Sequence, residues 1–349
     1  MPDPIPHGGN LREAARRYSI PLDDWLDLST GINPRGYPVP PVPPDAWRRL
    51  PEDDDGLADC AARYYGAPLA LPVAGSQAAI RALPYLLERG TVGVAPLTYG
   101  EYAPAFARAG HRVVPLDIGC GELPASLDHV IVANPNNPTA ERLDRETLLR
   151  WHARLASRGG TLIVDEAFAD ADPAASLAAE SARDGLVVLR SVGKFFGLAG
   201  IRAGFVLAAP ALLDALRDML GAWTVGGPSR HAVMAAFADH AWQAETRERL
   251  QRDGARLAAI IARHGFDVRG TPLFAWTRTP RARSLHHELA TRGVWTRLFD
   301  RSDMTPSLRI GLPGSEGDWA RLERALAEIA DELVPEALRM RCRAGDESR

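Results

Sequence analysis

The chain has 349 residues, enough for a large buried core divided between two domains. Its residues are 46% hydrophobic and 24% charged, as in ordinary globular proteins, and a net charge of −3 offers no footing for nucleic acid or an anionic membrane. No apolar run reaches membrane-spanning length, residues 1–10 lack a basic and apolar targeting pattern, and three widely spaced cysteines (Cys60, Cys120, Cys342) exclude a disulfide framework or zinc site and point to the cytoplasm.

In chain order, Tyr37–Pro44 holds five prolines and reads as an extended connector. Apolar runs rich in Val and Ile follow at Thr91–Ala95, His111–Leu116, His129–Ala133, Thr161–Val164, Leu186–Leu189 and Gly204–Ala208. Helical patterns lie between several of them, at Gln77–Glu88, Tyr102–Ala109 and Arg142–Ser157. That alternation predicts an α/β fold with a mostly parallel sheet. After about Gly221 the texture shifts to long helices rich in Arg and Ala over His231–His264, then short strand-like pieces, then a helix over Asp318–Leu333. The expected division is an N-terminal arm and connector (1–45), a large domain (46–225) and a smaller C-terminal domain (226–349).

One compositional detail points to chemistry. Lys194 is the single lysine in the chain; every other member of the 41 Lys and Arg is arginine. A coding bias toward arginine accounts for the missing lysines. It does not account for the one retained where an unprotonated amine can attack a carbonyl, which a guanidinium cannot do. Lys194 is therefore a candidate for Schiff-base chemistry.

Polar residues gather at the carboxyl ends of the predicted strands, where open parallel sheets bind ligands. Asn134-Pro135-Asn136-Asn137-Pro138-Thr139 follows the third run, Asp165-Glu166-Ala167-Phe168 the fourth, and Ser191-Val192-Gly193-Lys194 the fifth. Arg202 lies eight residues beyond Lys194, and Gly75-Ser76-Gln77 opens a helical stretch of the kind that binds phosphate at its N-terminus. Taken singly, Asn-Pro makes a turn, Asp caps a helix and Gly-Ser-Gln is an ordinary helix start. Taken together, Asn134, Asp165, Lys194 and Arg202 recur at intervals of 31, 29 and 8 residues, each at or near a strand end.

This set resembles the fold-type-I pyridoxal-phosphate enzymes, closest to the histidinol-phosphate aminotransferase branch, from His7 to about Leu333. The resemblance implies that fold, a mostly parallel sheet with helices on both faces plus a smaller α/β C-terminal domain. It implies that Lys194 carries pyridoxal 5'-phosphate and moves protons at the substrate Cα. Asp165 then pairs with the pyridine nitrogen, and Asn134 hydrogen-bonds the ring 3-hydroxyl. Ser191, Arg202, Ser76 and Gln77 hold the cofactor phosphate, Tyr99 stacks on the ring, and Arg309 grips the substrate carboxylate through two parallel hydrogen bonds.

The opening His7-Gly8-Gly9-Asn10, with Asp27-Leu28-Ser29-Thr30-Gly31-Ile32-Asn33-Pro34, is similar to the threonine-phosphate decarboxylases of cobalamin biosynthesis. Those enzymes convert O-phospho-L-threonine to (R)-1-amino-2-propanol phosphate and CO2. The resemblance places His7 and Arg297 at the substrate phosphate, with Asn33 in the same substrate-binding set, and implies a homodimer whose active site lies at the subunit interface. A histidinol-phosphate-type aminotransferase, or a non-catalytic sensor built on the same fold, are the alternative readings. Two departures stand out. Phe168 occupies a position where many aminotransferases have Tyr. Leu50-Pro51-Glu52 replaces a Tyr-Pro-Asp segment whose tyrosine reaches the neighbouring subunit, and Tyr37 is a candidate substitute.

Overall fold

The structure is a computed structural model that describes residues 8–119 and 121–332. It forms two compact units, one of residues 35–252 with 271–273, the other of residues 8–34, 253–270 and 274–332.

The first unit is built on seven strands: β1 (Leu71–Val73), β2 (Thr91–Val94), β3 (Arg112–Pro115), β4 (His129–Ala133), β5 (Thr161–Asp165), β6 (Leu186–Ser191) and β7 (Gly204–Ala208). Their spatial order is β1-β7-β6-β5-β4-β2-β3. Neighbours from β6 through β3 run parallel, while β7 runs antiparallel to both β6 and β1. Every residue of β4, β5 and β7 is buried. That is why these strands read as continuous apolar runs rather than alternating ones: helices cover both faces. On one face Ile80, Leu83 and Phe106 pack against Val92, Ile131, Ile163, Val187 and Val206. The helix Arg145–Ala156 buries Leu148, Trp151 and Leu155, and starts where Asp144 accepts the Thr147 N–H at 2.6 Å.

The sequence predicts long helices over His231–His264 without placing the boundary between them. There are two, Gly227–Ala238 and His240–Arg263. The break falls at Asp239, whose carboxylate accepts the Trp242 N–H at 3.0 Å and so caps the second helix instead of continuing the first.

In the second unit, a four-stranded sheet has the order Arg297–Phe299, Ser307–Gly311, Phe274–Arg278, Arg269–Thr271. Leu26–Asp27 pairs in parallel with Val294–Trp295. The Leu28 carbonyl then accepts the Gly311 N–H at 2.7 Å. A Cβ at Gly311 would run into the Thr30 carbonyl oxygen, so glycine lets segment 28–30 lie against the strand. Among the described residues, no helix is long and apolar enough to cross a membrane.

Candidate active site

Strand register levels the functional residues. Asp165 lies across from Ala133 on β4 and from Leu189 on β6, so the ends of three parallel strands meet in one row. Gly204 sits opposite both Ser191 and Val73, which brings the start of the helix Ser76–Ala82 beside the end of β6. A Cβ at Gly204 would come within 2.6 Å of the Ser76 nitrogen and 2.8 Å of the Arg190 carbonyl oxygen, so only glycine permits this approach.

A cavity opens over this row. Lys194, Asp165, Ser191, Arg202, Ser76 and Gln77 all line it, as the sequence predicts, and so does Tyr99. Gly75 holds φ +74°, and a Cβ there would come within 2.6 Å of the Arg202 guanidinium; the missing side chain leaves a cradle for that cation. Arg202 itself adopts a left-handed backbone, φ +53°. The Tyr99 hydroxyl donates to Gln77 Oε1 at 2.8 Å. The loop that carries Tyr99 is anchored by Asn136, whose Nδ2 donates to the Leu97 carbonyl at 2.9 Å and whose Oδ1 accepts from the Thr98 hydroxyl at 2.7 Å.

Asp165 is buried. Its Oδ1 accepts the Ala167 N–H at 3.0 Å and its Oδ2 accepts the Tyr102 hydroxyl at 2.7 Å. Burial raises its carboxyl above the ordinary range, and these two hydrogen bonds oppose that rise without cancelling it. The Lys194 ammonium lies 5.6 Å from the centre of the Phe168 ring, which is buried against the cavity.

Behind the row lies a buried charge cluster. Arg190 projects from the opposite face of β6 to Leu189 and pairs with Glu166 and with Asp170, the latter at 3.0 Å. Burial alone would lower the Arg190 guanidinium, but Asp170 and Glu166 outweigh it and hold it well above its usual value. Glu166 also accepts the Leu177 N–H at 2.7 Å, which ties down the chain that follows Asp165.

Asn134 does not take the expected place. Its amide donates to the Leu143 carbonyl at 3.0 Å and accepts the Leu143 N–H at 2.9 Å, closing the turn after β4. Asn137, three residues on, lines the cavity instead. Tyr37 is corrected too: it is buried, its hydroxyl donates to the Ala235 carbonyl at 3.2 Å and its ring packs edge-on against Trp242, so it is spent inside its own unit. Sequence reasoning missed Tyr102. The available signal was its place three residues after Tyr99, at the start of the helix Tyr102–Arg108, from which its hydroxyl reaches Asp165 at the end of β5.

The second unit holds the predicted substrate residues. Arg309 is buried on Ser307–Gly311 and donates to the Ser29 carbonyl at 2.6 Å. Arg297 is its register partner across the strand pair. Burial first, and then Arg297, push the Arg309 guanidinium down to about 9. Burial also lowers Arg297. Asn33 is buried in the same unit. His7 lies outside the described residues. Beside it, Gly9 has φ +83° and donates its N–H to the Ser29 hydroxyl at 2.7 Å.

Over residues 53–329 the chain matches the aminotransferase class I and II family. It is 53% identical over 326 residues to a threonine-phosphate decarboxylase of Pseudomonas aeruginosa, a match spanning 92% of this chain and 97% of that protein. A threonine-phosphate decarboxylase of a Sinorhizobium species is 42% identical over 339 residues, or 94% and 99% of the two chains. The crystal structure of histidinol-phosphate aminotransferase from Sinorhizobium meliloti, in complex with pyridoxal-5'-phosphate, aligns with a TM-score of 0.79 over 95% of this chain and 96% of that one. At 19% identity that likeness speaks for the fold alone, and it bears out the fold expected from the sequence.

Proposed function

The chain belongs to the class I and II aminotransferase family, in the branch of the threonine-phosphate decarboxylases, and from that premise we propose that it converts O-phospho-L-threonine to (R)-1-amino-2-propanol phosphate and CO2 for cobalamin biosynthesis. The observation that carries the substrate is the register pair of Arg297 and Arg309. Two guanidinium groups on facing strand positions repel, and both are partly stripped of water. A ligand that brings two anionic groups relieves that repulsion by placing one negative charge beside each cation. O-phospho-L-threonine carries a carboxylate and a phosphate; histidinol phosphate carries only the phosphate.

The cavity of the first unit fits pyridoxal 5'-phosphate. Lys194 supplies the amine that would hold it covalently, and Arg202 in its Gly75 cradle, with Ser76, Gln77 and Ser191, suits its phosphate. Asp165, a buried carboxylate with Tyr102 on one oxygen and Ala167 on the other, suits a protonated ring nitrogen. Tyr99 offers an aromatic face, and Asn137 takes the polar role first expected of Asn134. When bound, this cofactor would supply a ring that accepts the electron pair released at the substrate Cα. Asp165 keeps charge at the far edge of the cavity. Arg309 orients the carboxylate that leaves, and Arg297 the phosphate that stays. Lys194, once its amine is free, delivers a proton to Cα in place of the departed carboxyl group. Phe168 brings no hydroxyl to the cavity, unlike the tyrosine common in aminotransferases at this position.

We place the reaction in the cytoplasm and the working form as a homodimer with its active site at the subunit interface. Trp47 and Leu50, 68% and 64% exposed on the segment where the related branch sends its tyrosine to a neighbour, support a partner there. The test is product analysis of the cofactor-loaded protein. With O-phospho-L-threonine it should give CO2 and aminopropanol phosphate. With histidinol phosphate and 2-oxoglutarate it should give no glutamate. Glutamate without CO2 would make it an aminotransferase.

A further inference from the structure

Tyr102 is a buried phenol aimed at a buried carboxylate. Its side chain is 1% exposed and Asp165 is 5% exposed, and the hydroxyl donates to Asp165 Oδ2 at 2.7 Å. The Ala167 N–H occupies the other oxygen from within the same turn, at 3.0 Å. The two donors approach from different elements and hold the carboxylate in one plane. The Tyr102 ring also meets the Tyr99 ring edge-on, with centroids 5.5 Å apart. Tyr102 thus touches both the residue that faces the ring nitrogen and the residue that offers the stacking face.

We propose that Tyr102 is a positioning residue for the proposed reaction: it keeps Asp165 ionised and aimed at the cofactor's ring nitrogen. This rests on the reading of the cavity as a pyridoxal-phosphate site. A carboxylate taken out of water favours its protonated form, and burial does raise Asp165. A protonated Asp165 cannot draw a proton onto the ring nitrogen, and a carboxyl group tethered by one hydrogen bond can rotate away. The Tyr102 hydroxyl opposes both outcomes, because its hydrogen bond is made to the charged form. Burial pushes the Tyr102 hydroxyl well above its usual range, with the Asp165 charge adding to it, so the phenol stays a donor across the working pH.

The experiment compares two cofactors on the full chain. Tyr102→Phe keeps the ring, its burial and its contact with Tyr99, and removes only the hydroxyl. Pyridoxal phosphate and 1-deaza-pyridoxal phosphate, in which carbon replaces the ring nitrogen, are titrated into wild type and variant. The variant should bind pyridoxal phosphate about tenfold more weakly, as for loss of a hydrogen bond to a charged group. It should bind the deaza compound as wild type does, because that ring has no nitrogen for Asp165 to address. In an Asp165→Asn background the Tyr102→Phe penalty should disappear. A merely structural role would weaken both cofactors alike, and equal weakening, or none, overturns the proposal. Failure of wild type to bind pyridoxal phosphate at all would instead sink the cofactor reading, and the inference with it.

Discussion

Replacing Arg297 with glutamine should move stability and substrate binding in opposite directions. Arg297 and Arg309 are register partners on adjacent antiparallel strands, where facing side chains approach most closely. Arg309 falls from the ordinary arginine value to about 9, which corresponds to roughly 4–5 kcal/mol against its charged form, with burial the larger cause and Arg297 the next. Removing the second charge should therefore stabilise the ligand-free protein, by about 0.5–1 kcal/mol for a facing like-charge pair. For a chain of 349 residues that is a rise of about 1 °C in melting temperature. The same substitution removes a guanidinium from an anion, which typically costs about 2–4 kcal/mol, or roughly 30- to 1,000-fold in affinity. Thermal unfolding without ligand and a calorimetric titration with O-phospho-L-threonine read the two effects. A variant that melts lower and binds the substrate as well as wild type would refute the reasoning, because Arg297 would then be a structural residue.

Asn137→Ala should weaken pyridoxal phosphate binding with little change in stability, whereas Asn134→Ala should lower stability by about 1–3 kcal/mol through the two exposed Leu143 backbone groups and spare the cofactor; titration and melting of both variants separate the roles. Arg190→Met should destabilise the first unit by about 3–5 kcal/mol in urea unfolding, since Glu166 and Asp170 would keep buried charge with no cation; a loss below about 1 kcal/mol would contradict that. His286 is pushed down to about 4 by burial, with Arg17, Arg297 and His287 adding to the effect. A histidine depressed in the folded state contributes stability that is present above its unfolded value near 6.5 and lost as pH falls toward 4. The loss should reach roughly 3 kcal/mol, and His286→Gln should flatten the melting temperature between pH 6.5 and 4.

The six apolar runs all became strands of the central sheet; five are largely buried, which leaves an unbroken apolar signature, while the edge strand Arg112–Pro115 is partly exposed. Asp165, Ser191 and Lys194 were legible for a related reason: they end or follow parallel strands, whose ends a sheet brings together, and Arg202 joins them because it just precedes the antiparallel β7, whose start lies beside the end of β6. The two asparagines were not separable. Asn134 and Asn137 both precede proline, and only the folded turn shows that Leu143 consumes one amide while the other faces the cavity. Tyr102 and the Arg190 cluster were hidden for lack of local signal. Tyr102 reaches a residue 63 positions away and Arg190 pairs with residues 24 and 20 positions back, distances at which no periodicity points to a partner. The helix break at Asp239 hung on one capping hydrogen bond within an otherwise helical composition.

The most direct test follows one carbon atom. Cofactor-loaded protein is given O-phospho-L-threonine labelled with carbon-13 at the carboxyl group, with 2-oxoglutarate also present, and gas and solution are assayed together. Labelled CO2 equal in amount to aminopropanol phosphate, with no glutamate, is the expected result. Label retained in a phosphorylated 2-oxo acid, with matching glutamate, would show that the proton and not the carboxyl group leaves Cα, and would contradict the decarboxylase assignment.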